Sequence, residues 1–295
     1  MRPYAFGFLL LPLLGWGQSP PKALLWQVEG HGLATPSCVV GTVHSKDARA
    51  FRQVPRLLAV LEGRDVLAGE LDLLAGPAAS RLRADALMMP PGKELSDFYT
   101  PKELGRVKKA LSAKIGPMAL MAGRMKPFFL MAFLTESTMQ ADSSMVLDQY
   151  LQVKAKEMGK DVMGLETVAE QVAAVDGLPL QDQADMLYRT VRSGADEKGM
   201  DRFLDAYAQQ DLGRLAKLVA RGDMPDQLGE KLLKERNHVM ALRMDSLMQG
   251  GRSFLFAIGA AHLPGTDGVL DLLREMGYVV SPMVERGPAV QGRRR

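Results

Sequence analysis

Two stretches at opposite ends of the chain are built alike, and the likeness constrains the fold more than any other feature. Cys38-Val39-Val40-Gly41-Thr42-Val43-His44 and Phe256-Ala257-Ile258-Gly259-Ala260-Ala261-His262 are both apolar runs ending in Gly-x-x-His. The first leads into a helical pattern with Val54, Leu57, Leu58 and Leu61 on one face, then a short apolar run from Val66 to Leu71. The second leads into a helical pattern from Val269 to Met276 and a last run from Tyr278 to Val280. Each reads as strand, Gly-x-x-His, helix, strand. Two such units far apart in sequence predict an α/β fold: a central mixed sheet built from the chain ends, with a largely helical middle insertion.

The middle fits that plan. Helical patterns cover Lys102 to Lys114 and Leu147 to Met158, the latter stopped by Gly159, and Lys160 to Glu166 reads as one more buried strand. Helices are expected across Val168 to Met248, and Leu24 to Val28 adds a strand before the first unit. Met118 to Leu134 is apolar overall but carries Arg124, Lys126 and Pro127 in its centre, so it reads as two buried or groove-lining helical pieces. The expected division is a signal peptide over 1–17, one domain over 18–290 with the helical insertion roughly over 78–150, and a basic tail over 291–295. Arg2, the apolar run Phe6 to Leu14 and the small residues around Gly17 form the export pattern, with cleavage near Gly17 and a periplasmic or secreted product. That apolar run is well short of the roughly 20 residues of a spanning helix, so no stable membrane span is expected after cleavage.

Composition narrows the chemistry. A net charge of +3 over 295 residues argues against a nucleic-acid partner. The one cysteine, Cys38, can form neither an intramolecular disulfide nor a Cys-rich zinc module, so it reads as a small packing residue. Any metal site must use imidazole and carboxylate. Of the four histidines, His44 and His262 stand in matching strand-end contexts, whereas His31 and His238 read as loop or surface groups. A histidine three residues beyond a strand-ending glycine stands at the carboxyl edge of the sheet, where open α/β sheets bind ligands. Two imidazoles need a carboxylate to make a site with an open position. Glu70 follows Gly69 at a strand end, and Glu166 follows Gly164-Leu165 in the same context. Glu166 can equally be a helix N-terminal carboxylate, since Thr167 opens the next helix.

Taken together, Leu25-Trp26-Gln27-Val28-Glu29-Gly30, the two Gly-x-x-His segments, Gly69-Glu70-Leu71-Asp72, Gly164-Leu165-Glu166-Thr167 with Glu170 and Gln171, and Glu235-Arg236-Asn237 resemble the TraB/GumN family, bacterial relatives of the Tiki metalloproteases. The resemblance covers essentially the whole chain after the leader. It implies a divalent-metal-dependent hydrolase, most simply a peptidase acting on exported peptides or proteins. His44, His262 and Glu70 would lie near the ion, with Glu166 as a second acidic group. Arg236 and Asn237 would steady a carbonyl or its oxyanion. Mn, Co and Zn all suit such ligands. One glutamate would ligate and the other would take a proton from water. The alternative is a non-catalytic binding protein that sequesters a peptide, haem or a metal in the same crevice. An esterase would use the same histidines, and no Gly-x-Ser-x-Gly turn is present for serine chemistry.

Overall fold

The computed structural model describes residues 22–76, 84–193, 197–220 and 229–284. The expected signal peptide and basic tail lie outside them. Six strands form one mixed sheet in the order β4-β3-β5-β2-β1-β6. These are β1 (Leu25–Glu29), β2 (Ser37–Thr42), β3 (Val66–Gly69), β4 (Asp161–Gly164), β5 (Phe254–Gly259) and β6 (Val279–Pro282). The two Gly-x-x-His units build one sheet, as the sequence predicts, and within it their strands interleave. β2 runs through α1 (Val54–Glu62) to β3, and β5, from the far end of the chain, lies between them, parallel to both. β4 joins parallel to β3, and β1 and β6 complete the other edge with antiparallel pairings.

The central strands are apolar at every turn because both faces are covered. Cys38, Val39, Val40, Val66, Leu67, Ala68, Leu255, Phe256 and Ile258 are all within 1% of complete burial. Continuous apolar runs of this kind suit parallel strands sandwiched between helices. Cys38 is among these packing residues, with its thiol pushed up by burial. Phe254 and Phe256 lie on one face of β5, where their rings stack with centroids 5.0 Å apart.

The described residues between β3 and β4 are mostly helical: α2 (Pro101–Lys114), α3 (Pro127–Glu136) and α4 (Leu147–Glu157). Those between β4 and β5 form α5 (Val168–Asp176), α6 (Leu180–Ser193), α7 (Glu197–Ala208), α8 (Leu212–Ala220) and α9 (Glu235–Gln249), and α10 (Val269–Glu275) precedes β6. Thr100 opens α2 and Thr167 opens α5, each with a glutamate three residues on returning a hydrogen bond to the cap N–H. Leu95, Val107, Leu111, Met125, Leu130 and Leu134 form a second apolar core that also takes in Leu187 of α6. Among the described residues no helix is long and apolar enough to cross a membrane. Within Met118 to Leu134 the charges and proline break the chain into two short 3-10 turns, Gly116–Leu120 and Ala122–Arg124, before α3 starts at Pro127.

Strand ends pack too closely for side chains. A Cβ at Gly164 would stand 2.8 Å from both the Asp72 nitrogen and the Glu166 carbonyl oxygen, backbone atoms that cannot step aside. Gly164→Ala is therefore expected to destabilise the protein by about 1–3 kcal/mol. Gly105, exposed inside α2 with open space around it, should behave in the opposite sense. Gly105→Ala should stabilise by about 0.5–1 kcal/mol through helix propensity. Urea denaturation of the two variants beside the parent checks both signs.

Candidate active site at the carboxyl edge of the sheet

The four parallel strands β2, β3, β4 and β5 end side by side. Thr42 is in register with Gly259, Gly69 with both Ala257 and Gly164. The two Gly-x-x-His glycines are consequently one residue out of step, Gly41 lying opposite Ile258. The edge places Glu70 and Glu166 next to each other, and a backbone bond from the Glu166 N–H to the Glu70 carbonyl (2.8 Å) ties the two turns.

Arg236, near the start of α9, lies between the two carboxylates. Its Nε and Nη2 donate to Glu166 Oε1 (2.9 Å) and Oε2 (2.6 Å), and Nη2 also reaches Glu70 Oε2 (2.7 Å). Gln171 of α5 repeats the bridge, Nε2 donating to Glu70 Oε2 (3.1 Å) and Glu166 Oε2 (3.2 Å). Both oxygens of Glu166, whose side chain is 2% exposed, are thus committed. The helix that follows is capped by Thr167 and Glu170, so Glu166 is a buried partner of Arg236 and has no part in that cap. Glu70 differs. Its Oε1 accepts the Gly259 N–H (2.7 Å) and lies 3.6 Å from His262 Nε2. Burial works against the Glu70 charge, but the Arg236 guanidinium and the Gly259 N–H are among the groups that outweigh it and hold the carboxyl below its ordinary range. The absence of a side chain at Gly259 permits this approach, since a Cβ there would stand 3.0 Å from Glu70 Oε1.

His262 is buried, and its ring orientation is set from behind. Asn237, next to Arg236 on α9, donates Nδ2 to the Asp267 carbonyl (2.7 Å), which leaves Oδ1 to face His262 Nδ1 at 2.6 Å. An amide oxygen accepts only, so the proton belongs on Nδ1 and the Nε2 lone pair faces Glu70. Burial pushes the imidazole pKa down against the pull of Glu70, favouring the neutral ring. With both amide atoms engaged, Asn237 holds the histidine in place. Arg236 is anchored at its third nitrogen too, Nη1 donating to the Leu232 carbonyl (3.0 Å).

His44 lies across a cavity of about 250 Å³ whose lining includes Thr42, His44, Glu70, Asp148, Gln152 and Gly259. Its side chain is 63% exposed, and Nδ1 stands 3.6 Å from Asp148 Oδ2. Thr42 donates Oγ1 to Asp148 Oδ1 (2.6 Å), while Oδ2 is buried with no hydrogen-bond partner. The Asp148 carboxylate raises the His44 pKa. Asp148 and Gln171 are the two members of the site that the sequence pattern did not single out by chemistry. Asp148 sits at the start of α4, indistinguishable in sequence from a helix N-terminal acid, and Gln171 reads as one more polar helical residue. His238 and His31 lie elsewhere: His238 Nε2 is 3.5 Å from Asp267 Oδ1 at the surface, and His31 packs edge-on against Tyr278.

Among the described residues no three His, Cys, Asp or Glu side chains already stand close enough to cage a metal ion. The donors nevertheless suit one. His262 presents an unprotonated Nε2 beside Glu70 Oε1, and Asp148 carries an orphaned oxygen behind His44. Histidine ligands are characteristically held this way, by a carbonyl or carboxylate at the other ring nitrogen.

The chain is 26% identical to metalloprotease TIKI2 of Danio rerio, an alignment covering 93% of this chain and 63% of that protein. It is 26% identical to TIKI2 of Xenopus tropicalis, covering 93% and 61%, and 25% identical to metalloprotease TIKI1 of Homo sapiens, covering 92% and 63%. The chain therefore spans under two thirds of the length of these relatives. No solved structure gives a significant match. The model of the TraB/PrgY/gumN family matches residues 24–282, every strand of the sheet included, and the chain belongs to that family.

Proposed function

We propose that this protein is a divalent-metal-dependent hydrolase of peptide bonds, acting on exported peptides or proteins. The observation that carries the proposal is the pairing behind the two histidines: Asn237 Oδ1 behind His262 and the Asp148 carboxylate behind His44. Each ring is approached at Nδ1, which leaves Nε2 as the donor atom. The metalloprotease names of the relatives support the same reaction class. In this reading His262 and His44 would hold the ion with Glu70 standing beside it, and Mn, Co and Zn all suit imidazole ligands. A divalent ion bound there would polarise a carbonyl and lower the pKa of water.

The protein's own groups divide the remaining work. Glu70 Oε1 is the carboxylate oxygen left uncommitted by Arg236 and Gln171, so it is the acceptor for the proton of the attacking water. That proton passes on to the leaving amine. Arg236 and Gln171 fix Glu70 by its other oxygen, and Glu166 anchors Arg236. Arg236 and Asn237 are thus positioning residues in the proposal.

Elemental mass spectrometry after exposure to Mn, Co and Zn is expected to find near-stoichiometric metal in the parent and its loss in folded His44→Ala and His262→Ala. Peptide cleavage should stop on chelation and return with the ion. Asn237→Ala should weaken metal affinity by about 10–100-fold while the protein stays folded. A parent that takes up no metal would overturn the reading, and metal or peptide bound without turnover would favour the sequestering alternative.

The ion cluster predicts a separate stability pattern. Arg236→Met leaves Glu166 buried without its cation, and a loss of about 3–5 kcal/mol is expected on chemical denaturation. Pairing it with Glu166→Leu should restore much of that loss. Equal destabilisation by the single and double variants would show that the charges are not coupled.

A further inference from the structure

Glu70 stands on a wall between two unlike cavities. Beyond the 250 Å³ cavity that it shares with His44 lies a second of about 530 Å³, and Glu70, Leu71 and Gln171 line both. The larger one is apolar, walled by Leu87, Phe128, Phe129, Val172 and Val175. On the opposite side, His44 and Leu73 also line a third cavity, of about 290 Å³, with Lys46, Glu136, Ser144 and Gln149. Successive cavities share residues, so they lie side by side in one row across the carboxyl edge of the sheet. The row is apolar on one side of the reacting groups and polar, with charges of both signs, on the other.

The apolar side is preformed. Gln183 of α6, fully buried, accepts the Phe128 N–H at Oε1 (3.4 Å) and donates Nε2 to the carbonyls of Val175 (3.2 Å) and Leu178 (3.1 Å). One amide thus ties the start of α3 to the end of α5, the two helices that face each other across the pocket. An ion pair between the buried Lys126 and the half-exposed Asp176 (2.5 Å) makes a second tie beside it. Phe128 and Phe129 pack edge to face, with centroids 5.6 Å apart. A rigid pocket of this size and lining is of the kind that takes an apolar group from a ligand.

Resting on the peptidase reading, we infer that this row of cavities binds an extended peptide with a large apolar residue, Leu, Phe or Met, immediately on one side of the reacting bond. That side chain enters the pocket of Leu87, Phe128, Phe129, Val172 and Val175. The residue on the other side of the bond faces His44, Lys46 and Glu136 and is not selected for being apolar. The occupant follows from continuity: a side chain in the pocket belongs to a backbone passing Glu70, the proton acceptor.

The test has two arms. In the first, the metal-loaded parent digests a mixed peptide library and the cut sites are read by mass spectrometry. Leu, Phe or Met should be favoured over Ala about 10-fold or more at one flanking position only. Val172→Trp, which fills the pocket, should move that preference to Gly, Ala and Ser, and Phe129→Ala should flatten it. In the second arm, fluorescence anisotropy measures binding of a labelled Leu peptide and its Ala counterpart to metal-free protein. The parent should bind the Leu peptide at least about 10-fold tighter, and folded Val172→Trp should not. Cleavage without apolar preference, or with it on both sides, overturns this inference and leaves the hydrolase reading standing. Absence of cleavage sinks the hydrolase reading, and the binding arm then decides the pocket alone: equal binding of the two peptides overturns it. If Val172→Trp does not fold, Phe129→Ala decides both arms, and an unchanged preference overturns the inference.

Discussion

A guanidinium held between two carboxylates ties this protein together where its chemistry is expected. Arg236, Glu70 and Glu166 come from α9, the end of β3 and the end of β4, three segments far apart in sequence. A buried carboxylate is costly to desolvate, and the cost is offset only by close, well-directed donors. Glu166 has them on both oxygens. Glu70 has them on one oxygen, with a backbone N–H and an imidazole at the other. The asymmetry assigns different work to two residues of the same type in the same strand-end context. One stabilises the arrangement of the helices over the sheet, and the other keeps an oxygen turned to the cavity.

The histidines show a related division. His262 is buried and held by a neutral amide, whereas His44 is largely exposed and faced by a carboxylate. The buried ring is fixed relative to the sheet, and the exposed one has room to turn. That contrast explains how the two motif histidines can share a cavity rim without already forming a closed ligand cage. It also places the adaptable member beside the polar end of the row of cavities and the rigid member on the side of the fixed carboxylates.

Much of this was legible in the sequence, for identifiable reasons. The paired Gly-x-x-His segments carry strand, turn and residue type together in seven residues, so a sheet shared by the chain ends and the strand-end positions of His44 and His262 could be read directly, whereas the interleaving could not. Glu70 and Glu166 stood out because a charge directly after an apolar strand is poorly explained by packing. Which of them is free could not be read, because the answer depends on Arg236, 70 residues beyond Glu166 and 166 beyond Glu70, and on Gln171, 101 residues beyond Glu70. The pattern likewise suggested Arg236 and Asn237 as groups facing substrate. In the structure each also meets its own buried partner, Glu166 for Arg236 and His262 for Asn237, since adjacent residues on a helix diverge by about 100°. Asp148 was hidden for the same reason: its significance comes from Thr42 and His44, on the far side of the chain from its own helix.

The position of β5 has a consequence for biogenesis. β2 and β3 are joined through α1 but do not touch each other in the sheet, because β5 occupies the place between them. During synthesis both strands are made about 200 residues before the partner that lies between them. Until Phe254–Gly259 arrives, two adjacent strand edges stay open, and open edges are the surfaces on which chains misassociate. The last strand but one therefore closes the sheet and delivers His262 in the same movement. No fragment lacking it can assemble the site, so in a nascent chain the histidine pair comes together only after β5 has been made.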